Sequence, residues 1–341
     1  MNFQSKSLDQ KLLKIAVAYS HHKLGDLIWQ LPYIKSISKN FNKPVTLITR
    51  SKTQAKDILK DNDYIDDIFY CEFRKKLWYF IEIFNLYRFF KKKNFSHVFI
   101  LDKISRPAIA AKFAKIKNII GPGIKNQKKW LTNKNFLTYE DYRNLDYSEQ
   151  SKKMLEINNY KIFETIPLLI VKEETLIDVE PQIDPNQKGI VSFGVDSFEL
   201  YKMWYEENFA KLANQLINSN LAKKIYLIAG PQNQHVVKKI INFSGNNTLV
   251  DCSSLNLLQV IKVIKNSDYF VGNNSGPLNL ASALGVKAFG LIANDRVSEL
   301  KNSNIIPILP IDYKNEINRD REGMKRLKVQ TVFDQIEGNL N

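Results

Sequence analysis

The chain has 341 residues, 44% hydrophobic and 25% charged, an ordinary globular balance that suits about two domains. Its two cysteines, Cys71 and Cys252, stand far apart, which excludes a disulfide scaffold, offers no metal-ligand spacing and suits a reducing cytoplasm. The net charge of +15 favours anionic partners such as nucleic acid, a membrane surface or a phosphorylated small molecule, although the basic residues are scattered.

The first ten residues, Met1 to Gln10, carry no apolar core and no small-residue cleavage pattern, so they do not read as a signal peptide. Ile15 to Tyr19 reads as a buried strand, followed by the polar loop Ser20 to Gly25. A helix is predicted from Asp26 to Lys39 on the apolar positions Leu27, Ile28, Leu31 and Ile34. Val45–Thr49 and Val98–Leu101 are further strands, and this β-α-β rhythm implies a parallel sheet. Between them lies the aromatic segment Leu77 to Lys91, basic at its end. It is the longest apolar candidate, but Glu82, Asn85 and Arg88 interrupt it well short of the ~20 residues of a membrane span. It suits either rest on an anionic bilayer or, more commonly, packing on its own sheet.

From about Lys125 to Lys188 the pattern weakens. Tyr139–Tyr142 reads as a connecting segment, and Glu180–Asn186, rich in Pro and Asp, reads as the interdomain linker. A second β-α run follows. Its strands are Gly189–Phe193, Ile225–Ala229, Tyr269–Gly272 and Ala288–Leu291, and its helices Glu206–Leu216, Leu257–Ile264, Pro277–Leu284 and Val329–Ile336. The fold class is α/β, two Rossmann-like domains facing across a cleft, with ligands at the carboxyl ends of strands.

Gly272-Asn273-Asn274-Ser275-Gly276-Pro277 joins a strand to a helix. Ser275 or Asn274 can cap that helix, Pro277 suits its first turn, and the N–H groups and dipole there attract a diphosphate. Gly25-Asp26 stands at a similar turn. Asp26 reads as a helix cap or as a carboxylate able to accept a hydroxyl proton. Lys202 follows the first strand of the second half, where a lysine can neutralise a leaving phosphate. His21 and His22 are adjacent and lack an acidic or Cys partner at metal spacing, which favours solvent or substrate contact. The chain has no P-loop, no dinucleotide Gly-x-Gly-x-x-Gly after a strand and no Gly-x-Ser-x-Gly elbow.

Together these segments resemble the lipopolysaccharide heptosyltransferases, glycosyltransferase family 9. Gly25-Asp26 followed by Leu31-Pro32 is similar to the family's N-terminal signature, and Lys202-Met203-Trp204-Tyr205 to its Lys-x-Trp-Pro segment. Ala229-Gly230-Pro231 resembles its Gly-Gly-Pro turn. Asn274-Ser275-Gly276-Pro277-Leu278-Asn279-Leu280-Ala281 resembles its Asp-Ser/Thr-Gly-x-x-His-Leu-Ala motif. The resemblance implies a GT-B fold with an N-terminal acceptor domain over 1–180 and a nucleotide-sugar domain over 188–320. A C-terminal helix within 321–341 is expected to pack back toward the first domain. It implies inverting transfer of heptose from ADP-heptose to a lipopolysaccharide core or related lipid-linked glycan, without metal or cofactor. Asp26 would be the base. Lys202, Asn274, Ser275, Gly276 and Asn279 would hold the donor, with further contacts from His21, Lys23, Gly25, Gly230 and Asn233. Cytoplasmic placement, with peripheral contact at the inner membrane, would follow.

Four departures bear on the donor. Asn274 stands for the family's Asp, Asn279 for its His, Tyr205 for its Pro, and Gln232-Asn233-Gln234 fills the place of a nucleotide-contacting Glu. A different nucleotide-sugar is one alternative. A basic, non-catalytic nucleic-acid-binding protein is another, resting on charge alone, with no aromatic-basic RNA motif to support it.

Overall fold

The computed structural model describes residues 13–180, 183, 187–300 and 303–340. They form two units that divide between Pro167 and Leu168. In the first, β1 (Ile15–Ala18) is apolar at every position and wholly buried, the pattern of a strand covered on both faces. Where the pattern predicts one helix from Asp26 to Lys39, two occur: α1 (Leu24–Ile28) and α2 (Leu31–Phe41). Pro32 explains the break. It has no N–H to give and its ring opposes the carbonyl four residues earlier, so the chain turns and starts again with Pro32 in the first turn.

Next come β2 (Val45–Thr49), α3 (Ala55–Ile58), β3 (Ile65–Tyr70), α4 (Trp78–Lys93), β4 (His97–Ile100), α5 (Arg106–Phe113) and β5 (Asn118–Ile120). Every pairing is parallel, in the order β3-β2-β1-β4-β5. The predicted connecting segment at Tyr139–Tyr142 instead opens α6 (Tyr139–Asn144), ahead of α7 (Tyr147–Ile157). Thr138 and Asp141 cap α6 reciprocally, and none of its residues is buried, so no apolar period marks it in the sequence.

The second unit carries β6 (Ile190–Gly194), α8 (Glu206–Asn218), β7 (Lys224–Ile228), α9 (Gln234–Ser244), β8 (Leu249–Asp251) and α10 (Leu257–Lys265). It continues with β9 (Tyr269–Asn273), α11 (Gly276–Ala283), β10 (Lys287–Leu291), β11 (Ile305–Ile308), α12 (Glu322–Arg326) and α13 (Val329–Leu340). Its sheet is parallel in the order β11-β10-β9-β6-β7-β8. The core centres on Phe193, Trp204, Phe209, Leu227, Val271 and Phe289. Helix α13, expected to reach toward the first half, buries Val332 and Ile336 in this core. Of the stretch proposed as linker, Pro181, Gln182 and 184–186 lie outside the described residues.

Each sheet reverses its winding once. In the first, the reversal falls between β1 and β4; in the second, between β6 and β9. Helices leave the sheet on opposite faces there, which opens a crevice at the carboxyl ends of the central strands. At the second reversal Gly194 pairs with Gly272. A Cβ on Gly272 would lie 2.8 Å from the Gly194 carbonyl oxygen, so the close strand approach requires glycine.

Candidate functional site

The loop Leu200–Tyr205 is pinned beside the end of β9. The Trp204 backbone N–H donates to Asn273 Oδ1 at 2.9 Å, and its fully buried indole Nε1–H donates to the Leu327 carbonyl at 2.9 Å. Asn294 Nδ2 donates to the Tyr201 carbonyl at 3.0 Å, and Arg321 Nε to that of Met203 at 2.9 Å. Held this way, Lys202 Nζ reaches the Asp295 carboxylate, whose Oδ2 also accepts from Asn274 Nδ2 at 2.7 Å. Burial works against charge on Lys202, but Asp295 outweighs it, and the ammonium titrates above the ordinary lysine range. Lys202 and Asn274, far apart in sequence, thus share one carboxylate.

Helix α11 begins next to this group. Ser275 occupies the N-cap position, but neither it nor Asn274 caps: no side chain bonds the first turn, and the Asn274 amide is spent on Asp295. Ser275 Oγ, Asn279 Oδ1 and Asn273 Nδ2 are instead buried without a partner. A buried polar atom left unpaired costs about 1–3 kcal/mol, so three at one strand-to-helix junction mark a place shaped for a ligand. The space where a Gly276 side chain would stand is open. The donors of the first turn and the helix dipole add positive character. Gly230 and Asn233 are engaged with another carboxylate: the Gly230 N–H and Asn233 Nδ2 both donate to Asp196 Oδ2, at 2.7 and 3.2 Å.

In the first unit Asp26 is not a helix cap. Lys23 occupies that position, and Asp26 lies in the first turn of α1 with buried Gly25 before it. Its side chain, 32% exposed, stands 3.4 Å from His21 Nδ1. The His21 ring stacks on Tyr19 at 4.9 Å and meets Tyr147 edge-on at 4.2 Å, which orients it toward the carboxylate. The loop carrying His21 is held by the Ser20 N–H donating to Asp102 Oδ2 at 2.6 Å and by Arg50 donating to the Ser20 carbonyl. Partial desolvation, then Arg50 and Lys52, hold exposed His22 below the ordinary histidine range, a cationic setting.

Sequence reasoning missed Arg50, Asp102, Asp196 and Asp295. All four stand just past the carboxyl end of a strand (β2, β4, β6 and β10), the one signal that could have found them.

Residues 84–336 match the family model described as glycosyltransferase family 9 (heptosyltransferase). The chain belongs to glycosyltransferase family 9. It is 24% identical, over 83% of its length and 86% of the relative's, to lipopolysaccharide heptosyltransferase 1 of Campylobacter coli. Among solved structures it is similar to a family 9 glycosyl transferase from Veillonella parvula, at 16% identity, with 96% of each chain covered and a TM-score of 0.78. It is also similar to ADP-heptose lps heptosyltransferase II of E. coli, at 15% identity, covering 96% of this chain and 98% of that one, TM-score 0.73. The two parallel-sheet units are those of the GT-B fold, and the protein is a glycosyltransferase. Among the described residues no helix is long and apolar enough to cross a membrane.

Proposed function

We propose that the protein is an inverting, metal-independent glycosyltransferase that moves heptose from ADP-heptose onto a lipopolysaccharide core or a related lipid-linked glycan. The relatives named above, with heptosyltransferase and ADP-heptose in their descriptions, support that choice. The observation that carries it is the junction at α11, where a half-buried lysine held by Asp295 adjoins three unpaired buried polar atoms and the donors of a helix start. Such a junction suits a diphosphate that gains charge as it leaves.

In the reaction, Asp26 takes the proton of the acceptor hydroxyl, and His21, 3.4 Å from the carboxylate, steadies it. The acceptor oxygen forms its bond to the anomeric carbon as the bond from that carbon to the diphosphate oxygen breaks. The nucleoside diphosphate departs with the electron pair, and Lys202, Ser275 Oγ–H and the first-turn N–H groups of α11 receive the charge. Asn279 Oδ1 is free to accept from a donor hydroxyl. The cations around His22 suit an anionic acceptor.

Transfer from ADP-heptose, followed by product mass, tests this. Asp26→Asn should lower kcat at least about 100-fold, as loss of a general base does, while EDTA leaves the rate unchanged. Undiminished transfer by Asp26→Asn would show that another group is the base. The uncharged Asn274, tied to Asp295, and the amide at Asn279 favour one second reading, a different donor on the same scaffold. Thermal stabilisation by a UDP- or GDP-sugar but not by ADP-heptose would select it.

A further inference from the structure

Helix α4 has two apolar faces and covers only one of them. Its inner face buries Leu86 and Phe90 in the core of the first unit. Glu82, also inward, is paired with buried Arg106. The outer face leaves large apolar side chains in the open: Leu77 is 72% exposed, Phe80 70%, Phe84 56%, Trp78 49% and Ile81 37%. Leu77, Ile81 and Phe84 follow the spacing that stacks residues on one side of a helix, and Phe80 adjoins them. The same stripe continues through exposed Arg88 and Lys91, with exposed Lys92 beside it. Just before the helix come three more exposed basic residues, Arg74, Lys75 and Lys76.

We infer that this face lies flat on an anionic lipid bilayer. A free apolar stripe of four to five large side chains is costly in water and is not explained by the fold. Its flanks decide the occupant. From Arg74 to Lys93 the only acid is Glu82, and that carboxylate is turned inward to Arg106. The Arg74 guanidinium lies 4.4 Å over the exposed Trp78 ring, the pairing of aromatic body and cationic tip that suits the boundary between headgroups and acyl chains. Apolar anchors between two basic clusters match negatively charged headgroups around a hydrocarbon edge. The inference stands on α4 alone and is independent of which sugar is transferred.

Co-sedimentation of the full chain with vesicles tests it, using phosphatidylcholine alone and phosphatidylcholine with about 30 mol % phosphatidylglycerol, an anionic surface of physiological kind. The protein should bind the anionic vesicles, bind the zwitterionic ones far less, and be released by salt. Phe80→Ser with Phe84→Ser should weaken binding at least about tenfold, and Lys91→Gln with Lys92→Gln about 30-fold. All four residues are solvent-facing or at the helix end, so unchanged thermal midpoints will show the variants folded. Equal binding by wild type and the Phe80→Ser, Phe84→Ser variant overturns the inference, as does binding without preference for phosphatidylglycerol. A concentration-dependent dimer that the same pair of changes abolishes also overturns it, because the face would then be covered by a second copy.

Discussion

Removing Asp295 should destabilise the second unit, and removing Lys202 with it should restore most of the loss. Asp295 is 5% exposed and Lys202 16%, and the carboxylate serves both the ammonium and the Asn274 amide. Breaking one partner out of a buried pair costs roughly 3–5 kcal/mol, because the other charge stays buried and uncompensated. Lys202 keeps some solvent, so Asp295→Leu should cost about 3 kcal/mol, at the low end of that range. At about 2–4 °C per kcal/mol for a unit of this size, Tm should drop by roughly 6–12 °C. Lys202→Met should cost a similar amount. The double variant replaces the pair with apolar side chains of like volume and should lie well above either single one. Urea unfolding of the four proteins at pH 7 gives the coupling energy, expected at or above about 2 kcal/mol. Single effects that add to within about 0.5 kcal/mol would show that the two residues are independent, and the reasoning would fail.

Three further outcomes follow from burial and close packing. Burial pushes the Cys71 and Cys252 thiols up to about 12, whereas an unfolded thiol ionises near 9.0. Above pH 9.0 the unfolded state therefore binds fewer protons than the folded one, so stability is full below that pH and declines as pH climbs toward 12. Ellman's reagent should label neither thiol at pH 8 until urea is added, and native labelling at the unfolded rate would contradict their burial. Gly272→Ala places a methyl 2.8 Å from the Gly194 carbonyl oxygen and 2.7 Å from the Phe270 ring. The backbone contact cannot yield, so the urea midpoint should fall by an amount equivalent to about 1–3 kcal/mol; an unchanged midpoint would refute the fit.

The strands were the most legible part of the sequence, because a parallel strand buried on both faces is a short unbroken apolar run. Ile15–Ala18 and Tyr269–Gly272 show this. Helices with no buried residue, such as α6, were not legible, since their stability comes from caps rather than from an apolar stripe. The candidate site was half legible. Motif spacing singled out Asp26, Lys202 and Ser275-Gly276 as candidates. It could not locate Asp295, which acts through a contact made only in three dimensions, and it misread two local bonds. Asp26 is not a cap, and neither Ser275 nor Asn274 caps α11. Lys23 rather than Asp26 takes the N-cap position of α1, and Asp295 draws off the Asn274 amide; sequence spacing records neither.

The bonds that hold the Lys202 loop also set an order of assembly. Trp204 is anchored by the carbonyl of Leu327, and Met203 by the side chain of Arg321, more than a hundred residues later. During synthesis on the ribosome the loop can gain its contacts with Asn273 and Asn294 first and these two last, when nearly the whole chain has emerged. A chain cut short before Arg321 keeps the partners Asn273, Asn294 and Asp295, yet it lacks the two bonds that Arg321 and Leu327 add to the lysine's loop. An unfinished polypeptide is thereby kept from completing this lysine's surroundings, and its competence is deferred to the last steps of translation.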